Sequence, residues 1–385
     1  MTTWQSVKVG ELGRIVTGKT PKTAISENYG GDIPFLTPSD DMSVKYVNDT
    51  AKMLTERGVA EVKNALIPSD SVCVSCIGSD LGKVVITTEK TVTNQQINSI
   101  IVNKKLFDVS FIYYAMMILG KKLNFISKTS TAVPIVNKSA FSSYEIQCPS
   151  LEQQKEIAAI LSALDSKIEY NQKINDNLQQ QAQAIYEKMF INNPDVSMTS
   201  GTLSDIAIVT MGQSPKGSSY NEQAVGEVFY QGRAEFGFRF PSRRLYTTES
   251  KRIAEPGDVL LSVRAPVGDL NVAYERCCIG RGLGAIHSKD GHSSFILYTM
   301  FSLKPQLDVF NGEGTVFGSI NRDSLNAIPI EIPSPDRIEQ FEAFARPMDD
   351  LIRSNYEEIC RLEALRDSLL PKLMSGEIDV SDIQL

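Results

Sequence analysis

Arginine and aromatic side chains alternate through the segment from Phe229 to Arg264. Arginine can contact phosphates and can form bidentate hydrogen bonds to guanine, while aromatic rings stiffen the loops that carry it. A run of this kind is also typical of a solvated surface over buried rings, so both interpretations stay open at this point. The candidate DNA contacts here and in the nearby stretch Gly280–Ile286 are Tyr230, Gln231, Arg233, Arg239, Arg243, Arg244, Arg264 and Arg281.

A nucleotide-binding loop is the most tempting alternative chemistry. Residues Gly13–Thr20 match the string G-x-x-x-x-G-K-T, but Pro21 follows where a phosphate loop should open a long helix. The C-terminal half of the chain has Ala207 and Gln213 at the positions of the first glycine and the lysine. We interpret the stretch as a turn in which Lys19 can reach a phosphate.

Metal and nucleophilic chemistry have little support. Cys73 and Cys76 have zinc-like spacing, yet no second Cys-x-x-Cys follows and the chain has two histidines, His287 and His292. We predict buried, reduced thiols, and we find no nucleophile–base pairing. The chain alone is therefore predicted to be non-catalytic, with no metal and no cofactor.

The chain is predicted to be an internal duplication. Residues 111–190 align without a gap to residues 295–374 at a constant offset of 184. Upstream the offset becomes 186 near Ile97 and Leu283, and 194 where Gly18–Pro21 matches Gly212–Pro215. Such drift is typical of loop insertions, so each copy is interpreted as one domain followed by one helix.

Both predicted helices carry a sustained heptad pattern that is typical of a coiled coil. Ser150 and Ser334 are predicted N-caps, and Asn171 and Asn355 occupy the same seam position in the two copies. The other interpretation is two independent helices, each packed on its own domain. The predicted seam residues are Leu161, Leu164, Ile168, Asn171, Leu178, Ile185, Met348, Ile352, Asn355, Ile359, Leu362 and Leu369.

The domains are read as α+β. Short strand-like runs include Ser71–Ile77, Lys83–Thr88, Gly257–Val263 and Leu270–Tyr274, and helices are expected at Ser110–Leu119 and Phe295–Leu303. The segment Ile33–Met53, equivalent to the arginine-rich run, differs from it almost entirely. We call these two equivalent stretches the reading segments. Two similar scaffolds with different reading segments would recognise two different half-sites. The candidate contacts in the first copy are Lys19, Thr37, Ser39, Lys83, Gln95 and Gln96.

Charge and hydropathy are compatible with this interpretation. The net charge of −7 is concentrated in residues 151–200 and 334–385, so overall acidity does not exclude DNA binding. The longest apolar run, Phe111–Leu119, is nine residues, whereas a membrane helix needs ~20. The N-terminus has no apolar segment of the kind found in signal peptides.

The order domain, heptad helix, domain, heptad helix resembles the specificity subunit of type I restriction–modification enzymes over essentially the whole chain. Val9–Pro21, Leu151–Leu161, Glu255–Gly268 and Gly280–Ile286 are similar to that family's recurring motifs. The first domain departs from the pattern, because Gln95-Gln96 stand where the second has Arg281-Gly282.

The resemblance implies target-recognition domains at 1–150 and 199–334, separated by spacer helices at 151–198 and 335–385 that form an antiparallel coiled coil with pseudo-two-fold symmetry. It further implies that the chain reads a gapped sequence in double-stranded DNA, docks two methyltransferase subunits and is joined by two restriction subunits. Base flipping for methylation would belong to those partners. A cytoplasmic, DNA-associated protein of a bacterium or archaeon is expected, without a membrane partner. A different class stays open: a coiled-coil scaffold whose two domains bind protein partners only.

Overall fold

A computed structural model describes residues 4–47, 49–78, 81–128, 135–192, 198–312 and 318–380. The chain divides into two compact units, and neither is a continuous stretch of sequence. Unit 1 is Met1–Asn171 together with Glu357–Leu385, and unit 2 is Gln172–Tyr356. No helix among the described residues is long and apolar enough to cross a membrane.

Unit 1 contains three short sheets and the helices that cover them. Its helices are α1 (Glu56–Glu61), α2 (Val109–Lys128), α3 (Lys138–Ser143), the first part of α4 (Leu151–Tyr186) and the end of the last long helix, from Glu357 to Ser375. Its strands are β1 (Gln5–Lys8), β2 (Gly13–Thr17), β3 (Tyr29–Leu36), β4 (Tyr46–Val47), β5 (Met53–Leu54), β6 (Leu66–Ile67), β7 (Ser71–Ser75), β8 (Val84–Thr87), β9 (Thr91–Thr93), β10 (Ile97–Val102) and β11 (Glu145–Cys148).

Unit 2 repeats this organisation. Its helices are the second part of α4, from Gln172, then α5 (Leu203–Ile206), α6 (Ser293–Ser302), α7 (Lys304–Asp308), α8 (Arg322–Asn326) and the first part of α9 (Pro335–Ser375). Its strands are β12 (Thr199–Thr202), β13 (Ala207–Met211), β14 (Tyr220–Asn221), β15 (Glu227–Tyr230), β16 (Tyr246–Thr247), β17 (Ile253–Ala254), β18 (Val259–Ser262), β19 (Leu270–Val272), β20 (Cys277–Ile279), β21 (Leu283–Ser288) and β22 (Pro329–Ile332).

Strand pairing shows that the two units share one topology. The antiparallel order β2-β10-β7-β8 in unit 1 corresponds to β13-β21-β18-β19 in unit 2. A second sheet in each unit is built on one parallel pair, β3 with β9 and β15 with β20. The pair β1-β11 corresponds to β12-β22. The predicted duplication and α+β class are therefore confirmed in the fold itself.

In unit 1 the two long helices run antiparallel. Arg366 Nη1 of α9 donates a hydrogen bond to Asp165 Oδ1 of α4 at 3.1 Å. Six residues later on α4, Asn171 Nδ2 donates to Glu358 Oε2 at 2.8 Å. The partner on α9 therefore lies earlier in the sequence, as antiparallel helices require. Asn171 is fully enclosed between the helices, where a polar side chain favours one register.

The long helices are also antiparallel in unit 2. Asn355 Nδ2 donates to Asn175 Oδ1 at 2.8 Å, and both side chains are buried. Past the end of α4, Arg337 Nη2 donates to the carbonyl of Met189 at 2.7 Å. Among the predicted seam residues of the two units, Leu161, Ile168, Asn171, Ile352, Asn355 and Ile359 are buried, and Leu164, Leu178, Ile185, Met348, Leu362 and Leu369 are half-buried.

The predicted lengths of several domain elements were wrong. Helix α2 continues nine residues beyond the expected end at Leu119, through Gly120 and two lysines. Gly120 is required by packing and not by a helix end, because a Cβ there would lie 2.1 Å from the carbonyl oxygen of Gly82. The four predicted strands are each shorter in the structure, by two or three residues, because the residues at their ends lie in loops; these strands are β7, β8, β18 and β19.

Candidate nucleic-acid interface

In unit 2 the loops at the ends of several strands are tied together by backbone hydrogen bonds. After β13, the Gln213 N–H donates to the carbonyl of Ile279 at 3.0 Å. After β20, the Gly280 N–H donates to the backbone carbonyl of Tyr230 at 2.8 Å, and the Gly282 N–H donates to that of Gln231 at 3.2 Å. After β18, the Val263 N–H donates to the carbonyl of Gly282 at 3.0 Å. Loops that follow four different strands therefore form one surface, which we call the unit 2 strand-end cluster (Gln213, Ser214, Gln231, Arg264, Arg281).

Glycine is needed where these loops cross. A Cβ on Gly212 would lie 2.1 Å from the carbonyl oxygen of Gly280, and a Cβ on Gly282 would lie 2.7 Å from that of Gln231. Real side chains do not approach so closely, so each substitution would push the loops apart. Gly280 and Gly282 of the predicted motif Gly280–Ile286 are therefore needed for the close approach of these loops, which places the neighbouring side chains.

Arg264 and Arg281 are the exposed cations of this cluster. The Arg281 N–H donates to Ser214 Oγ at 3.3 Å, and Arg264 forms an isolated backbone bridge with Ser319. Within the described residues no carboxylate lies at ion-pair distance from either guanidinium. Their backbones are fixed while their charges face solvent, which suits contact with an anionic ligand.

The other exposed arginines of the predicted set are paired with acids. Arg233 pairs with Asp269, and Arg243 pairs with Glu275. Arg244 pairs with Glu235, whose side chain is 5% exposed. Their net contribution to the local positive potential is small, because each charge is offset by a carboxylate in direct contact.

Two predicted contacts lie inside the protein. Tyr230 is 2% exposed, and its hydroxyl donates to the carbonyl of Pro241 at 3.4 Å. Arg239 is 4% exposed and donates to Asp349 Oδ1 at 2.7 Å. Side chains enclosed and bonded in this way cannot reach DNA, so the prediction that Tyr230 and Arg239 contact DNA is corrected.

Unit 1 has the same cluster with different side chains. The Lys19 N–H donates to the carbonyl of Thr93 at 2.8 Å, and Thr20 Oγ1 donates to Gln95 Oε1 at 2.7 Å. Thr20 and Gln95 match Ser214 and Arg281 at the offsets of 194 and 186 in the sequence. We call Lys19, Thr20, Thr37, Gln95 and Gln96 the unit 1 strand-end cluster.

The remaining predicted contacts of unit 1 surround this cluster. The Thr37 N–H and hydroxyl both donate to Asp40 Oδ2, at 2.7 and 2.9 Å, so its loop is held by its own carboxylate. Ser39 and Lys83 are exposed, and the Lys83 N–H donates to Ser75 Oγ at 2.9 Å between β7 and β8. Thr20, Gln213 and Ser214 were not predicted; the signal for them was the Gly-x-Ser/Thr-Pro element common to the two copies.

The two cysteines with zinc-like spacing behave as core residues. Cys73 and Cys76 are buried, and burial raises the pKa of their thiols to about 12 and about 11. They are therefore protonated at neutral pH, whereas a thiolate would be needed to bind a metal or attack a substrate. In the described part of the chain, no three His, Cys, Asp or Glu side chains come together as a metal site.

Comparison with known proteins agrees with a two-domain chain built to recognise DNA. The family described as the type I restriction modification DNA specificity domain matches residues 1–180 and again residues 196–358. These two matches cover most of the chain, which therefore belongs to that family. They also follow the internal repeat, one match to each copy.

Individual relatives agree with this membership. The chain is 25% identical to the type I restriction enzyme MjaIX specificity subunit of Methanocaldococcus jannaschii, over 99% of this chain and 94% of that protein. It is 34% identical to the HindI specificity subunit of Haemophilus influenzae, over 43% of this chain and 37% of that protein. The solved type I restriction–modification S subunit of M. genitalium has a TM-score of 0.56 and 16% identity, covering 97% of this chain and 96% of that one, and shows the fold alone.

Proposed function

We propose that this chain supplies the sequence specificity of a type I restriction–modification assembly. Residues 1–150 and 199–334 act as two target-recognition domains, and each reads one half of a gapped target in double-stranded DNA. One observation carries the proposal: equivalent strand-end clusters occur in both repeats on matching backbones, with different side chains. A duplicated protein-binding scaffold has no evident need for two surfaces that diverge on a common frame.

The chemistry of the two clusters supports two different half-sites. The unit 2 cluster offers the exposed guanidinium groups of Arg264 and Arg281, which have no carboxylate partner among the described residues and suit phosphates or the O6 and N7 atoms of guanine. The unit 1 cluster offers Gln95 and Gln96 beside Lys19, and an amide suits adenine N6 and N7. Each domain would therefore contribute its own base preference to one composite target.

The long helices are the proposed docking surface for the modification subunits. Phe344 and Leu351 of α9 are 57% and 46% exposed, and they lie about two helical turns apart on one face in unit 2. Large apolar side chains on an otherwise charged helix favour contact with a protein partner. We propose that two methyltransferase subunits dock on the helix pair and that two restriction subunits join that core. The chemistry of methylation and cleavage then belongs to those subunits, and this chain is not itself an enzyme.

The first experiment is a genome-wide map of methylated bases in cells that carry the neighbouring methyltransferase gene, with and without this chain. A gapped two-part motif that disappears with the chain is the expected result. If an active methyltransferase gives the same map in both strains, the specificity role is refuted. The scaffold interpretation would then replace it.

Docking is tested separately by co-purification with the methyltransferase subunit. Leu351→Asp combined with Phe344→Asp should abolish a stable complex, because two charges would be placed in an apolar contact. Ala343→Asp combined with Ser354→Asp is the matched control, since both are exposed small residues of α9 in unit 2 that lie off the face of Phe344 and Leu351. Equal recovery of the complex from both variants would exclude this face as the docking surface.

A further inference from the structure

A cation occurs at the same place in both units, half-buried in unit 1 and buried in unit 2. Tyr114 and Asp165 of unit 1 match Tyr298 and Asp349 of unit 2 at the offset of 184. In each unit these two side chains are bonded to one another, and a cation donates to the tyrosine. That cation is Lys45 in unit 1 and Arg239 in unit 2, which correspond at the offset of 194 that also aligns Gly18 with Gly212.

In unit 1 the chain of contacts runs from the domain to both long helices. Lys45 Nζ donates to Tyr114 Oη at 3.2 Å and to Ser162 Oγ of α4 at 2.7 Å. The Tyr114 hydroxyl donates to Asp165 Oδ2 at 2.5 Å, and Arg366 of α9 pairs with the other oxygen of Asp165. Lys45 also lies 4.7 Å from the centroid of the Tyr114 ring, where a cation is attracted to the aromatic face.

In unit 2 the cation reaches the carboxylate directly. Arg239 Nη1 donates to Asp349 Oδ1 of α9 at 2.7 Å, and Nη2 donates to Gln179 Oε1 of α4 at 3.0 Å. Nη2 also donates to Tyr298 Oη of α6 at 3.3 Å, and the Tyr298 hydroxyl donates to Asp349 Oδ1 at 3.0 Å. Four elements therefore meet at one guanidinium.

The position of these cations along the chain connects them to the strand-end clusters. Each lies in the segment that leaves the equivalent strand β3 or β15, and that segment begins at the strand-end cluster with Thr37 or Gln231. The two segments differ in almost every other residue, yet both retain a cation that donates to the equivalent tyrosine of a bonded tyrosine–aspartate pair. Burying a charge is costly unless it is paired, so its retention at one place in both copies points to a defined geometric use.

We propose that Lys45 and Arg239 are positioning residues that anchor each reading segment to the long helices. They touch no DNA; they set where the strand-end cluster lies with respect to the helices of its own unit. The permitted gap between half-sites then depends on them, as well as on the helices. This inference rests on the proposed function.

The test uses the complete complex of this chain with its methyltransferase. Arg239→Met keeps most of the side-chain volume and removes the charge. DNA substrates carry the wild-type target or the same half-sites with the gap one base pair shorter or longer. We expect the preference for the correct gap to fall about tenfold, with the base preference in the first half-site unchanged. Arg239→Lys should restore much of the preference, because a lysine performs this role in unit 1.

Arg276→Met is the matched control, since Arg276 is a surface arginine of the same domain that pairs with Glu227 and Glu255. It should keep the wild-type gap preference. Tyr298→Phe is a milder second variant that removes one hydroxyl and keeps the ring, so it remains informative if Arg239→Met folds poorly. It should shift the gap preference in the same direction by a smaller factor.

An unchanged gap preference in both Arg239→Met and Tyr298→Phe would overturn the proposal. A uniform loss of methylation on every substrate, with the ratio between gaps preserved, would also overturn it, because that pattern indicates a purely structural residue. Failure of the proposed function looks different: the wild-type complex itself would then show no gapped target.

Discussion

The segments after β3 and β15 start from the same frame and end as different surfaces. Both strands pair in parallel with an equivalent neighbour, β9 or β20, and both continue into loops held by backbone hydrogen bonds. In the strand-end clusters where these segments begin, unit 1 presents amides, hydroxyls and one lysine, whereas unit 2 presents two arginines beside amides and one hydroxyl. The difference shows where variation is tolerated: buried strands must keep their partners, but exposed strand ends can change without disturbing the core.

The anchoring cations show the opposite behaviour. They lie within the variable segments and are nevertheless conserved in charge between the two copies. Their environments differ, because Asp165 already has a partner in Arg366, whereas Asp349 is held by Arg239 itself. The stability of unit 2 should therefore depend on Arg239 more than the stability of unit 1 depends on Lys45.

The largest effect is expected from charge reversal in the unit 2 cluster. Arg264→Glu with Arg281→Glu should weaken specific DNA binding by the assembled complex about 100-fold or more at fixed salt, because two cations facing the ligand become anions. Fluorescence anisotropy with a short duplex measures the loss. Arg276→Glu, which makes half of that change in net charge on the surface of the same domain, controls for a nonspecific effect of added negative charge. A loss below about threefold in the double variant would exclude this cluster from the interface.

The second effect concerns stability. Arg239→Met should lower the free energy of unfolding by about 3 kcal/mol, since it leaves the Asp349 carboxylate half-buried without its main partner. Lys45→Met should cost much less, because Arg366 still pairs with Asp165 and the buried ammonium was itself costly. Urea unfolding followed by fluorescence compares the two variants. Equal losses would contradict the asymmetry.

The third prediction uses pH. Burial lowers the pKa of Lys45 from 10.5 to about 8, although Asp165 and Asp108 oppose the shift. Between these values the unfolded chain binds more protons than the folded chain, so this group makes stability rise with pH through that window. The other groups that act on this site are Tyr46, Tyr113, Tyr114 and Arg366.

The contribution of Lys45 should amount to ~2 kcal/mol between about pH 8 and pH 10.5. Comparing the stability of wild type and Lys45→Met across this range isolates it, because every other titrating group is common to both proteins. Arg239→Met should keep the wild-type slope, since arginine does not titrate there. A slope that is the same in wild type and Lys45→Met would show that the lysine keeps its ordinary pKa.

Much of the architecture could be predicted from the sequence, for identifiable reasons. A gapless repeat of 80 residues and two sustained heptads are long patterns, and long patterns survive local variation. The identity of the exposed cations could not be predicted, because the acids that pair with Arg233 and Arg243 lie 36 and 32 residues further along the chain. Arg239 was predicted to contact DNA but is buried, and the sequence could not show this because its carboxylate partner is 110 residues away. The correspondence between Arg239 and Lys45 could not be recognised either, because the offset drifts between the two copies.

The smallest effect is expected at an arginine that already has an acidic partner. Arg243 is exposed, its guanidinium is bonded to Glu275, and it lies 5.8 Å from the centroid of the Tyr274 ring. Arg243→Met should weaken DNA binding only about twofold to fivefold, since an exposed ion pair contributes ~0–1 kcal/mol and must be given up before the arginine can bind a phosphate. Glu275→Gln should act in the opposite direction and strengthen binding, because it releases the same arginine. If Arg243→Met instead matched the double variant at Arg264 and Arg281, the paired arginines would exchange their acids for DNA on binding, and the interface would extend along the whole reading segment of unit 2.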